Sequence, residues 1–190
     1  MTKFSLLAVV AALGFSAAAQ AESATYVVDP AHTFAMWEIS HFGTSTNRGR
    51  FNKTTGTVTL DKAAKTGALD VTIDTTSLDT GTAAFTKHIS SDEMLNVAKF
   101  PNATFASTAI KAKGGGKYDV TGKLSVKGST RDIVVPIALT QAGAATTATG
   151  SFTIKRNDFK IGEGEWTDTS QLADDVAVKF KIALTGVAPL

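Results

Sequence analysis

Val176-Ala177-Val178-Lys179-Phe180-Lys181-Ile182-Ala183-Leu184 is the stretch that decides how this chain folds. Val176, Val178, Phe180, Ile182 and Leu184 fall on one face, and Ala177, Lys179, Lys181 and Ala183 on the other. A period of two belongs to a half-buried β-strand, because successive side chains of an extended backbone point to opposite sides. The same alternation recurs upstream. Leu69, Val71 and Ile73 interleave with Asp70, Thr72 and Asp74, while Ile133, Val135, Ile137 and Leu139 share a face and Pro136 takes the other. Proline cannot donate to a ladder, so a bulge or a sheet edge is expected there. Further strands are expected over residues 35–41, 57–60, 104–111, 118–126 and 148–156. Turn signals separate them: residues 61–67, Gly114-Gly115-Gly116, Gly128-Ser129 and residues 143–147. The result is an all-β, antiparallel chain of about eight strands with short loops.

Residues 78–101 break the pattern. Ser90-Ser91-Asp92-Glu93 reads as a capping box, with Ser90 placed to accept from the Glu93 backbone N–H. Met94, Leu95 and Ala98 would give the short helix that follows an apolar side, and Pro101 would end it. His88 falls in this single helical excursion and is expected at the surface.

Composition narrows the functional classes. The chain has 190 residues, 43% hydrophobic and 19% charged, enough apolar material for a core. A net charge of +2 is too balanced for a nucleic-acid binder that works by charge. The absence of cysteine removes disulfides, thiolate nucleophiles and zinc ribbons. Residues 1–21 have Lys3, then an apolar run, then Ala19-Gln20-Ala21, the layout of a cleaved secretory signal. The apolar run is short for a bilayer span of about 20 residues. Residues 22–190 are therefore expected to be one exported domain with no integral membrane span.

A sheet of this size must bury its edges, by pairing into a sandwich or by closing on itself. Ala35, Val58, Val71, Ser107, Val120, Val126 and Val178 would point inward, with the larger Trp37, Phe105, Phe152 and Phe180 spread over different strands. Eight strands enclose either a packed core or a cavity for one small ligand, and composition leaves both open. A membrane barrel is excluded by Lys179 and Lys181. On a lipid-facing wall each would cost roughly 2–4 kcal/mol at mid-bilayer. The barrel is expected to be soluble, with its apolar face inward.

Few residues point to chemistry. His32, His41 and His88 are the only histidines and lack metal-ligand spacing, so no metal site is expected. His32 follows Asp29-Pro30 and is read chiefly as a hydrogen-bonded residue fixing the start of the first long strand. Counting by twos from Ala35 through Trp37 and Ile39 puts His41 on the lumen side at a strand end. There it would meet a ligand head group or bond a loop. Phe152, Ile154 and Arg156 share a face, so the guanidinium also belongs at an inward strand end. Its expected partner is a carboxylate such as Asp29, Asp158 or Asp174, or a ligand oxygen, because an unpaired buried charge is costly. Asp74 with Asp79, or Asp174 with Asp175, could be proposed as catalytic pairs, but all fall at strand ends or turns. No Gly-x-Ser-x-Gly elbow occurs, and no catalytic residue or cofactor is assigned.

Longer motifs run in one order along the chain. Tyr26-Val27-Val28-Asp29-Pro30-Ala31-His32-Thr33 is followed by Trp37-Glu38-Ile39-Ser40-His41-Phe42-Gly43 and by Arg48-Gly49-Arg50-Phe51 before Gly56-Thr57-Val58. Ser77-Leu78-Asp79-Thr80-Gly81, Phe100-Pro101-Asn102-Ala103-Thr104-Phe105-Ala106-Ser107 and Gly122-Lys123-Leu124-Ser125-Val126-Lys127-Gly128 come next. Ile154-Lys155-Arg156-Asn157-Asp158-Phe159 and Asp174-Asp175-Val176 complete the set. In this the chain resembles the YceI-like family. The resemblance implies a lipocalin-like eight-stranded barrel in the bacterial periplasm, with an elongated cavity for a polyisoprenoid or other long-chain amphiphilic lipid. Thr33 stands where the family often has serine, and Lys127 where histidine is frequent. The expected ligand site is the lumen set Ala35, Trp37, Ile39, His41, Phe105, Phe152, Arg156 and Phe180. The expected protein is a carrier, monomeric or homodimeric. A hydrolase or isomerase acting on such a lipid, and a ligand-free stress-associated β domain, are the alternatives.

Overall fold

The alternating C-terminal stretch is a strand, β10 (Leu172–Thr185), and it closes the fold. One edge pairs antiparallel with β9 (Ala145–Lys155) and the other with β1 (Ala24–His41). Between them the chain runs through β3 (Thr54–Asp61), β4 (Thr66–Asp74), β6 (Asn102–Gly114), β7 (Lys117–Val126) and β8 (Ser129–Ala142). The order β10-β9-β8-β7-β6-β4-β3-β1, with β10 returning to β1, makes a closed eight-stranded antiparallel barrel. The computed structural model describes residues 24–61, 66–143 and 145–185. The expected signal over residues 1–21 lies outside them, as does part of the expected turn at 61–67.

Register fixes which side chains share the interior. Phe180 pairs with Gly150 and Ala35, Val178 with Phe152 and Trp37, and Phe105 with Val71 and Leu124. Directly paired residues stand on one face, so the four large aromatics face one lumen. Lys179 and Lys181 are exposed, and Lys179 meets Glu38 at 2.9 Å on the outer wall.

β1 serves two neighbours on one edge. Its start pairs with β3 and its second half with β2 (Ser45–Phe51), which carries the short β5 (Leu78–Asp79) on its far side. β2 lay outside the expected strands because Ser-Thr-Asn-Arg-Gly-Arg-Phe has no apolar alternation to mark it. Between Asp29 and Phe34 the pairing with β10 slips. The Thr33 hydroxyl fills the gap by accepting from the Ala183 N–H at 3.0 Å. Asp29 organises the same bulge, bonding the Ala31 N–H at 2.9 Å and His32 Nδ1 at 2.6 Å. His32 has the hydrogen-bonded role read for it, but at a bulge within β1 rather than at the strand's start. Pro136 also behaves as read: β8 keeps its register with β7 there, but its ladder with β9 begins only at Ile137.

The helix is displaced from its expected place. α1 spans Ala83–Ser90, its N-cap is Thr82, whose hydroxyl accepts from the Phe85 N–H at 3.3 Å, and Ser91 is its C-cap. Residues 91–99 form turns instead, and the Glu93 N–H is taken by the Asp92 side chain at 3.1 Å rather than by Ser90. Met94 and Leu95 are nevertheless buried. Their burial comes from the turns folding back over the barrel end, not from a helical stripe.

Candidate functional site

The barrel is hollow at one end. A cavity of about 440 Å³ opens among Ala35, Trp37, Ile39, Ala103, Leu124, Phe152, Val176 and Val178 on the inner wall. Elements outside the barrel strands complete its lining: Asn47 and Phe51 of β2, Thr75 of the turn after β4, Phe85, His88 and Ile89 of α1, Met94 and Leu95 of the turns after it, and Ile161 and Trp166 of the loop after β9. The wall is almost wholly apolar. Its polar side chains are His41, Asn47, Thr75, His88 and Arg156.

Two of those are committed to the backbone. Thr75 Oγ1 donates to the Phe100 carbonyl at 2.8 Å. Arg156 is wholly buried, and all of its bonds go to the protein. Nε donates to Ala173 O at 2.9 Å and Nη2 to Leu172 O at 2.7 Å. Nη1 donates to Asn157 Oδ1 and Ile161 O, each at 3.0 Å, and to Gly162 O at 3.3 Å. The expected carboxylate partner is therefore not what holds it. Asp174 acts at a distance, raising the guanidinium's proton affinity against the larger lowering that burial causes, while its carboxylate accepts from the Asn157 N–H at 3.0 Å. Nor does Arg156 end a strand; β9 stops at Lys155 and Arg156 opens a 3-10 turn. It bolts this turn to the start of β10.

Of the remaining polar groups, the two histidines flank Trp166. His41 lies 6.1 Å from its ring and His88 5.5 Å, and Asn47 is paired with Ile39 one step along the same wall. His88 is half-buried, contrary to the surface position expected for it. With Thr82 as the cap, Phe85, His88 and Ile89 have the i, i+3, i+4 spacing of one helix face, and that face lines the cavity. Reading Thr82 rather than Ser90 as the cap would have found it.

A second anchor was missed in the sequence. Lys127 has φ +47° in the β7–β8 turn and its side chain is 4% exposed. Nζ donates to Glu93 O at 2.9 Å, to Lys160 O at 2.8 Å and to Glu163 Oε2 at 2.9 Å. Glu93 O also accepts from the Gly162 and Glu163 N–H groups at 2.9 and 3.0 Å. One point thus joins the turns after α1, the β7–β8 turn and the loop carrying Trp166. The hydrogen bond from Lys127 holds the Glu163 carboxyl below the usual carboxylate range.

Of the lumen set, Ala35, Trp37, Ile39, His41, Phe152 and Arg156 line the cavity. Phe105 and Phe180 face inward but stand deeper. Beyond them is a small distal cavity of about 50 Å³, between Val58, Leu69, Val120, Ile137, Ala148 and Leu184 among others.

The YceI-like domain model matches residues 26–184. The chain is 37% identical over 182 residues to a UPF0312 protein of Pseudomonas savastanoi, covering 90% of this chain and 95% of the relative. A UPF0312 protein of Pectobacterium atrosepticum is 37% identical over 198 aligned positions, covering 98% of each. Among solved structures, Burkholderia cenocepacia BcnA superposes with a TM-score of 0.77 at 36% identity, over 82% of this chain and 98% of that one. A polyisoprenoid binding domain from Saccharophagus degradans shares the fold, with a TM-score of 0.68 at 18% identity over 86% of this chain and 98% of that one. With the family model covering nearly all the described residues and relatives matched end to end, this chain belongs to the YceI-like family.

Proposed function

We propose that the protein is a periplasmic carrier that encloses the tail of a polyisoprenoid or similar long-chain amphiphile. The observation that carries this reading is the apolar cavity of about 440 Å³ held open inside a closed barrel, with His41 and His88 beside Trp166, and Asn47 and Trp37, whose buried Nε1 has no partner among the described residues, also on its wall. Its volume falls within the roughly 300–1,000 Å³ of small-molecule pockets. Hiding about 400 Å² of apolar tail at about 25 cal/mol per Å² contributes roughly 10 kcal/mol. Association opposes this by about 4–15 kcal/mol, so net affinity depends on a cavity formed before the ligand arrives. The β-barrel wall meets that need. The imidazoles and Asn47 would meet the head group, and Trp166 would cover it.

Binding fits the site better than catalysis. Thr75, the hydroxyl on the wall, gives its proton to Phe100 O, and each guanidinium nitrogen of Arg156 donates to the surrounding protein. The name of the Saccharophagus domain, which states polyisoprenoid binding, supports the ligand class. Native mass spectrometry of the exported protein, followed by lipid extraction, tests the reading. A bound long-chain lipid is expected. Protein of bare polypeptide mass, which also takes up no isoprenoid offered in detergent, would refute it.

A further inference from the structure

Five strands contribute to both cavities, and their inward residues show what separates them. β7 gives Leu124 to the main cavity and Val120 to the distal one, with Gly122 between. On β9, Gly150 lies between Phe152 and Ala148 in the same way. The inward residues at the same level on β4, β6 and β10 include Val71, Phe105 and Phe180. Glycine on two strands and phenylalanine on two others is not an accident of packing. A Cβ on Gly122 would stand 2.5 Å from the Phe105 ring and 2.6 Å from the Ala106 carbonyl, and one on Gly150 2.5 Å from the Phe180 ring and closer still to the Pro136 carbonyl. Each ring, together with a backbone carbonyl, occupies the space that a side chain on the neighbouring strand would need. A glycine inside a strand weakens it and marks a close approach, and here what approaches is an aromatic ring from an inward position on the neighbouring strand.

We propose that Phe105 and Phe180, seated on Gly122 and Gly150, form a floor that sets the length of tail the cavity accepts. This rests on the lipid-binding reading given above. A tail entering from the Trp166 end runs past Ala35 and Phe152 and stops at the two rings. The distal cavity, about 50 Å³, is too small to take much of a chain while the floor is in place. Trimming either ring joins it to the main cavity and lengthens the accepted tail.

The test uses the delipidated full-length mature protein and a graded series of isoprenols: farnesol, geranylgeraniol and solanesol. Dissociation constants are measured by native mass spectrometry or by displacement of a fluorescent fatty acid. Phe180→Leu and Phe105→Leu keep an apolar side chain and are the folding-safe variants; Phe180→Ala is the larger step. Each is expected to shift the longer-to-shorter affinity ratio toward the longer alcohol by about tenfold, a size typical of an added or missing methylene in an apolar pocket. If the wild type binds isoprenols but folded Leu variants keep its length preference, the floor is refuted while lipid binding stands. If the wild type binds none of them, both fall.

Discussion

Lys127 Nζ lies 2.9 Å from Glu163 Oε2, with the lysine side chain 4% exposed and the glutamate 53% exposed. This pair fixes the loop that brings Trp166 to the cavity, because the same ammonium also holds Glu93 O and Lys160 O. Lys127→Met removes all three bonds. We expect a loss of roughly 2–3 kcal/mol, at the lower end for a buried pair because Glu163 stays solvated. Urea unfolding followed by circular dichroism measures it.

The same pair gives a pH dependence of known sign. Lys127 holds the Glu163 carboxyl below its ordinary value of 4.5. The unfolded chain then takes up this proton at higher pH than the folded one. The stabilisation is whole above 4.5 and is lost as pH falls through the lower native value. The melting-temperature gap between wild type and Lys127→Met should therefore narrow below pH 4.5. A gap that is constant from pH 7 down to pH 3 would contradict the ion pair.

Arg156 should behave as a structural residue. Its guanidinium serves the carbonyls of Ala173, Leu172, Ile161 and Gly162. Arg156→Ala leaves these without their donor and is expected to cost about 3 kcal/mol or more. Arg156→Lys should recover little, since one ammonium cannot span the fork. If Arg156 instead held a ligand, lipid binding would fall while the delipidated melting temperature stayed put.

Trp37 lies over Gly49 as the phenylalanines lie over theirs. A Cβ on Gly49 would come 2.6 Å from the indole. Gly49→Ala is expected to displace the ring and destabilise the barrel by roughly 1–3 kcal/mol. With only two tryptophans in the chain, Trp37 and Trp166, a Trp166→Phe background isolates the shift in emission.

The corrected helix start can be tested on its own. Thr82→Ala removes the hydroxyl that accepts from the Phe85 N–H and should cost about 1 kcal/mol of local stability. Ser90→Ala should cost much less. Amide exchange across residues 83–90 distinguishes the two, and the opposite ranking would restore the capping box at Ser90.

What could be read in advance depended on where the physical signal resides. Alternation such as Val176 to Leu184 is written in the chain, so the barrel, its inward face and the exposed lysines were legible. The family motifs were legible for the same reason. β2 was not, because its pairing with β1 rests on backbone bonds and its side chains are mostly polar. Thr82 and Ser90 are both plausible caps in isolation, and the choice between them moved His88 from the surface to the cavity wall. The partners of Arg156 and Lys127 are mainly backbone carbonyls, which leave no trace in residue identity. Phe105 and Phe180 were placed in the lumen correctly, but depth along the axis needs the register of the neighbouring strands.

Ala35 offers the most direct measurement of whether the cavity exists to be filled. It is buried, lines the main cavity and pairs with Phe51 and Phe180. In Ala35→Trp the indole takes ligand space in a hollow barrel but strains its neighbours in a packed one, commonly by about 1–3 kcal/mol. Bound lipid is quantified by mass spectrometry of the protein purified from its host, and stability by thermal melts of the delipidated protein. The expected result is a variant that has lost its lipid and melts near the wild type. A wild type that carries no lipid, with a variant that melts far lower, would contradict the carrier.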